Sequence, residues 1–144
     1  MEIKIKKLTE TATIPTCGTE ESAGYDLYGD NDDVIQIAPH STIKIPTGIA
    51  MAIPSGYFGA VYARSGLATK KGLRPSNCVG ILDADYRGNV IVALHNDTDE
   101  LMEVNPHERV AQLIIQKFEP IVFNEVEELD ETERGVGGFG STGA

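Results

Sequence analysis

Apolar positions alternate with polar ones in short runs along most of the chain, with a period of two rather than 3.6. Ile3 and Ile5 against Lys4 and Lys6 predict a first strand over residues 1–8. Residues 12–24 are small and polar, contain Pro and Gly, and read as loop. Ser22 to Tyr28 reads as a strand entry and Gly29 to Asp33 as a turn. Val34 to Ala38 and Ser41 to Ile45 are short strands either side of Pro39-His40. Gly48 to Ile53 and Tyr57 to Ala63 follow, separated by the turn Pro54-Ser55-Gly56. Ser65 to Gly72 breaks the rhythm. Ser65 suits a helix N-cap, Gly72 a stop, and Lys70 and Lys71 the C-terminal end. Val79 to Val90 holds Asp83, Asp85, Tyr86, Arg87 and Gly88 between two apolar runs, which predicts a hairpin. Beyond it, Val90, Val92 and Leu94 alternate with Ile91, Ala93 and His95, and Val110 to Phe118 is a long strand. Short strands with turn signals and one brief helix predict a sandwich, jelly roll or barrel.

Composition narrows the function. A chain of 144 residues suggests one domain with a moderate core. The net charge of −10 argues against broad binding to nucleic acid or to an anionic membrane, since both are polyanions. It leaves room for one small anion held by a few arginines. No apolar run approaches a membrane span, and MEIKIKKL is no signal peptide. Cys17 and Cys78 are far apart and form no CxxC, which fits a reduced, cytoplasmic-type compartment. Residues 124–134 form an acidic connector, and the ten residues after Arg134 hold five glycines.

Four stretches carry candidate chemistry. Asp83 and Asp85 at a hairpin tip suit a base or a ligand of metal-bound water; the alternative is a polar turn with both carboxylates solvated. Arg64, the Ser65 hydroxyl and helix-start N–H groups suit phosphate oxygens, or else form a cap with a surface arginine. Arg109 at a strand start reads as an ion-pair partner, and Gln112 as a solvent-facing strand residue. Residues 135–140 match GxGxxG, but no helix has room to follow. A flexible tail is one reading. The other is a lid, with glycine N–H groups wrapping an anion, Phe139 stacking on a base and Arg134 pairing with phosphate. His40, His95 and His107 lack metal-ligand spacing and read as surface or turn residues.

Five segments together resemble the homotrimeric deoxyuridine triphosphatases, in that family's fixed order. They are AGYDLY (23–28), ARSGLA (63–68), VGILDADYRGNV (79–90), ERVAQLI (108–114) and RGVGGFGSTG (134–143). The likeness spans nearly the whole chain. Ala63 stands where proline is common, His107 where glycine usually precedes the acidic-Arg pair, and Leu82 where isoleucine is usual. The resemblance implies an all-β, distorted jelly-roll or barrel-like fold of β-clip type, with a β domain over 1–123 and an arm over 124–144.

It also implies a reaction. Asp83 would activate a water to attack the α-phosphorus of dUTP, giving dUMP for thymidylate synthesis and pyrophosphate. Arg64, Ser65 and Gln112 would hold phosphates, joined by Arg134 from the tail, and Gly66, Gly138, Gly140 and Ser141 would also bind the substrate. Asp26 would reach Mg²⁺ through water. Asn77, Gly80 and Ile81 would read uracil, Tyr86 would lie against the deoxyribose, and Phe139 would stack on the base. Arg109 would be structural support. The family's trimer draws phosphate motifs, hairpin and tail of each site from three chains, in the cytoplasm, or the nucleus in a eukaryote. The dCTP deaminases share the fold, but their catalytic glutamate position is Ala93 here. A regulatory protein on the same scaffold, without turnover, is the other alternative.

Overall fold

The structure, a computed structural model, describes residues 1–138. In chain order the elements are β1 (Lys4–Lys7), β2 (Tyr25–Tyr28), β3 (Ile35–Ile37), β4 (Thr42–Pro46), β5 (Ile49–Ala52) and β6 (Tyr57–Tyr62). Then come α1 (Ser65–Lys71), β7 (Leu73–Pro75), β8 (Gly80–Leu82), β9 (Ile91–Asn96), β10 (Met102–Val104) and β11 (Arg109–Lys117). The strands form a four-stranded sheet ordered β2-β11-β6-β8, a three-stranded sheet β4-β9-β7, and the pairs β1-β5 and β3-β10. Every pairing is antiparallel among the described residues. This is an all-β, jelly-roll-like fold with one short helix.

Alternation sets the core. Val90, Val92 and Leu94 are buried, while Ile91 between them is 48% exposed. They meet Leu27, Ile45, Ile49, Val104 and Val110 from the other strands in one cluster. Burial of each such side chain contributes about 1.5–3 kcal/mol. A polar node closes one end. Buried Asn96 donates to the carbonyls of Ile37 (3.0 Å) and Glu100 (2.7 Å) and accepts from the Thr98 N–H (2.9 Å).

Three expectations need correction. Residues 79–90 are not a two-stranded hairpin: β8 pairs with β6, whereas β9 pairs with β4 and β7. The two apolar runs leave the Asp83 turn into different sheets, because β9 covers its apolar face against the core and β8 completes an edge. The helix N-cap is Arg64, not Ser65, and no side chain caps that end. Gly72 does end the helix, in the left-handed conformation at φ 62°. His95 lies on β9, half-buried, with its Nδ1 2.8 Å from Thr42 Oγ1. The strands β7 and β10 were not foreseen. Each has three residues, too few for a period, and β7 contains Pro75.

His40 and His107 do occupy turns. Each follows a proline, has positive φ (52° and 55°), and sits inside a closed four-residue turn. The closing bonds are Ser41 N–H to Ala38 O (3.3 Å) and Glu108 N–H to Asn105 O (3.1 Å). Proline second and positive φ third is the type II pattern, which favours glycine at the third place.

Candidate active site

Asp26, Arg64, Arg109 and Gln112 come together at one end of the four-stranded sheet. Asp26 and Gln112 are register partners across β2 and β11, so they share a face. The register shifts between Arg109 and Ala111. That bulge turns Arg109 to the same face as Gln112, although three positions separate them and strict alternation would oppose them. Val110 goes into the core. Asp26 then holds both arginines: Arg64 Nε donates to Oδ1 at 2.7 Å and Arg109 Nη1 to Oδ2 at 3.2 Å.

Gln112 Nε2 donates to Ala63 O at 2.8 Å, fixing the amide against the segment that leads into α1. Gly24 makes room for it, since a Cβ there would collide with Gln112 Oε1. Ser65 and Gly66 are exposed at the uncapped helix start, so their N–H groups face solvent. Two cations against one anion make this end locally positive in an acidic chain. The helix is tied to β11 from below, where Lys71 Nζ meets Glu108 Oε1 at 2.7 Å. Burial pushes the Glu108 carboxyl up. The Lys71 hydrogen bond, the Asn105 N–H and the Lys71 charge outweigh that, and its pKa lies below the ordinary 4.5.

A second group of residues lines a cleft of about 60 Å³ where β8 faces β9. Asn77, Gly80 and Ile81 meet there, with Ile91 and Ala93 opposite. Gly80 allows the close approach, because a Cβ there would lie 3.1 Å from Asn77 Nδ2. Cys78 bends the chain back at φ 60°. Asp83 follows β8 directly, exposed beside Phe58, Ile81 and Phe118. Its backbone carbonyl accepts the Tyr86 N–H at 3.1 Å. The Tyr86 hydroxyl donates to Asn89 O at 2.9 Å, and its ring lies over Gly88.

These two groups are apart within one chain. The β6–β8 register sets Gly80 beside Val61 and Leu82 beside Gly59, so Asp83 lies toward the start of β6, and Arg64 lies beyond its end. Six residues of strand, about 20 Å, separate the levels of Arg64 and Asp83. Arg134 and Gly138 are exposed on the C-terminal arm. Phe139, Gly140 and Ser141 lie outside the described residues. No three His, Cys, Asp or Glu side chains among the described residues converge as a metal cage. Sequence reasoning missed the hold of Asp26 on Arg64, the Lys71–Glu108 tie and the part played by Gly24. Only Gly24 left a signal, in its place two residues before Asp26.

A sheet end that gathers two arginines, a glutamine and an open helix start gives this β protein a locally cationic face suited to an anion. The chain belongs to the dUTPase family, whose model matches residues 10–143. It is 45% identical over 98% of its length to the deoxyuridine 5′-triphosphate nucleotidohydrolase of Syntrophotalea carbinolica, covering 96% of that protein. It is 46% identical to that of Nautilia profundicola, with 99% of both chains covered. Among solved structures it resembles a dUTPase variant of Staphylococcus bacteriophage 80alpha with dUpNHpp. The TM-score is 0.88 at 27% identity, covering 99% of both chains. A dUTPase variant of phage phi11 of S. aureus matches at TM-score 0.78 and 25% identity, covering 89% of this chain and 98% of that one. That structure is described as revealing the coordination of a structural Mg(II) ion.

Proposed function

We propose that this protein hydrolyses dUTP to dUMP and pyrophosphate, with Asp83 as the general base. The observation that carries this is the run of β8. Asn77, Gly80 and Ile81 line a small cleft, and Asp83 is the next residue beyond the strand. A uracil edge read at the rim of that cleft leaves the sugar and its 5′ side outside it, where the chain runs on from Leu82 to Asp83. Asp83 orients a water in line with the α-phosphorus and accepts its proton as the bond to the leaving pyrophosphate breaks.

The triphosphate brings about four negative charges, which must be neutralised locally. Arg64, Gln112, the Ser65 hydroxyl and the N–H groups of Ser65 and Gly66 take the phosphate oxygens. Arg134 adds a cation, and Gly138, Phe139, Gly140 and Ser141 close over nucleotide and phosphates. Asp26 fits an outer-sphere role toward Mg²⁺. Its two oxygens each accept one arginine bond, which leaves lone pairs for a metal-bound water. Mg²⁺ suits this donor set because it prefers phosphate oxygens and waters to a protein cage, and when bound it supplies charge neutralisation at the phosphates.

Specificity follows from the cleft. Fixed backbone groups and the Asn77 amide reject cytosine, whose edge leaves them unpaired. A tight fold of chain at Gly80 excludes the thymine methyl. Tyr86, fastened by its hydroxyl, presents its ring to the sugar and leaves no space for a 2′-hydroxyl.

The separation of Asp83 from Arg64 within a chain supports a homotrimer with shared sites. One chain supplies the phosphate residues, a second the cleft and Asp83, and a third the arm over 124–144. Two free, exposed cysteines fit a reduced cytoplasm. Purified protein is expected to release pyrophosphate from dUTP and not from dCTP or dTTP. Ammonia release from dCTP, or no turnover of any of the three, overturns the reading.

A further inference from the structure

We propose that Arg87 is a positioning residue for Asp83, acting through the backbone of the turn that carries it. The inference rests on the reading of Asp83 as the base. A general base must hold a water within a few tenths of an ångström of the attack line. Sheet hydrogen bonds do not hold this one. The strands entering and leaving the turn pair with different sheets, so residues 83–89 have no ladder across them.

The turn is fastened by three other contacts. The Tyr86 N–H closes on Asp83 O at 3.1 Å. The Tyr86 hydroxyl bonds Asn89 O at 2.9 Å, which ties the exit of the turn. Arg87 folds back and spends Nη1 on two carbonyls, Ala84 O at 2.6 Å and Tyr86 O at 2.9 Å. The guanidinium therefore ties the second residue of the four-residue turn that begins at Asp83, Ala84, to its last, Tyr86. A charged donor makes these bonds stronger than neutral ones. Without it, two carbonyls lose their partner and the turn keeps only one internal bond next to Asp83.

Arg87 is exposed, and its Nη1 donates to both of these carbonyls, so its effect is expected to run through the turn that carries Asp83. Its loss is expected to slow the chemical step and leave binding alone. The experiment compares wild type, Arg87→Gln, Arg87→Lys, Asp83→Asn and the double variant Asp83→Asn/Arg87→Gln. It measures kcat, KM for dUTP and thermal midpoint.

Arg87→Gln is expected to lower kcat at least tenfold, with KM within twofold and the midpoint within a few degrees. Arg87→Lys, which keeps a charged donor, recovers part of that loss. The double variant is no slower than Asp83→Asn alone, because a displaced base and a missing base are the same defect. An unchanged kcat in Arg87→Gln overturns the inference. So does a loss carried in KM, or a double variant slower than Asp83→Asn by the full single-variant factor. If Asp83→Asn itself turns over at the wild-type rate, the assignment of the base fails instead, and the two failures are told apart in one assay.

Discussion

At position 83 the expected change is chemical and not structural. The carboxylate is exposed and its side chain makes no hydrogen bond among the described residues. Asp83→Asn therefore keeps the fold and the affinity for a non-hydrolysable dUTP analogue, while kcat falls by about 10²–10⁴. Single-turnover kinetics beside analogue titration checks it. Comparable loss of affinity with the rate intact would contradict the base. At position 107 the expected change is the reverse. A histidine at φ 55° carries left-handed strain that glycine lacks. His107→Gly is expected to raise stability by about 0.5–1 kcal/mol, the strain relieved exceeding the entropy added to the unfolded chain. Urea unfolding should show a higher midpoint at the same slope. The family's usual glycine at this place thus has a backbone reason, which the structure supplies and the alternation pattern does not.

Among the elements, the helix start proposed to take phosphate oxygens depends on how α1 is held. The Lys71–Glu108 pair joins its last turn to the entry of β11, and Glu108 also accepts the Asn105 N–H at 2.9 Å. Glu108→Gln removes the charge from both bonds and is expected to cost about 1–2 kcal/mol at neutral pH. The sign of the pH dependence follows from the lowered pKa. The carboxylate's contribution is fully present above 4.5 and is lost as the pH falls through its lower folded value. Wild type and variant should therefore converge in stability at acid pH and separate above 4.5. A constant difference across that range would mean that packing, not charge, carries the effect. The strand positions themselves were legible because alternation is a local property. Val90 to Leu94 reads as half-buried in sequence and is so in the fold. Which strand pairs with which was not legible, since β8 and β9 are neighbours in sequence and belong to different sheets.

For the whole molecule, the distance between Arg64 and Asp83 makes a quantitative forecast. Co-expressed Asp83→Asn and Arg64→Gln chains, each inactive alone, should recover about one quarter of wild-type turnover if each site draws these residues from two chains of a cyclic trimer. Sites contained in one chain would recover none. Deleting residues 134–144 should leave the sedimentation of the assembly as it is in the full chain, with little activity. Full activity in the truncated protein would remove the arm from the mechanism. Among the described residues no helix is long and apolar enough to cross a membrane.

Period-two alternation, the turn residues between runs and the order of five motifs already determined an all-β chain with a carboxylate at 83 and arginines at 64 and 109. Each of these is written in residues a few positions apart. The tertiary structure decided what meets across long stretches. It set Asp26 between Arg64, 38 positions away, and Arg109, 83 positions away. It put a bulge in β11 that turns Arg109 to the side of Gln112, and it sent the two runs flanking Asp83 into separate sheets. Register and partner choice come from covering apolar faces against a common core, and that cost is summed over the whole chain, so no local pattern records it.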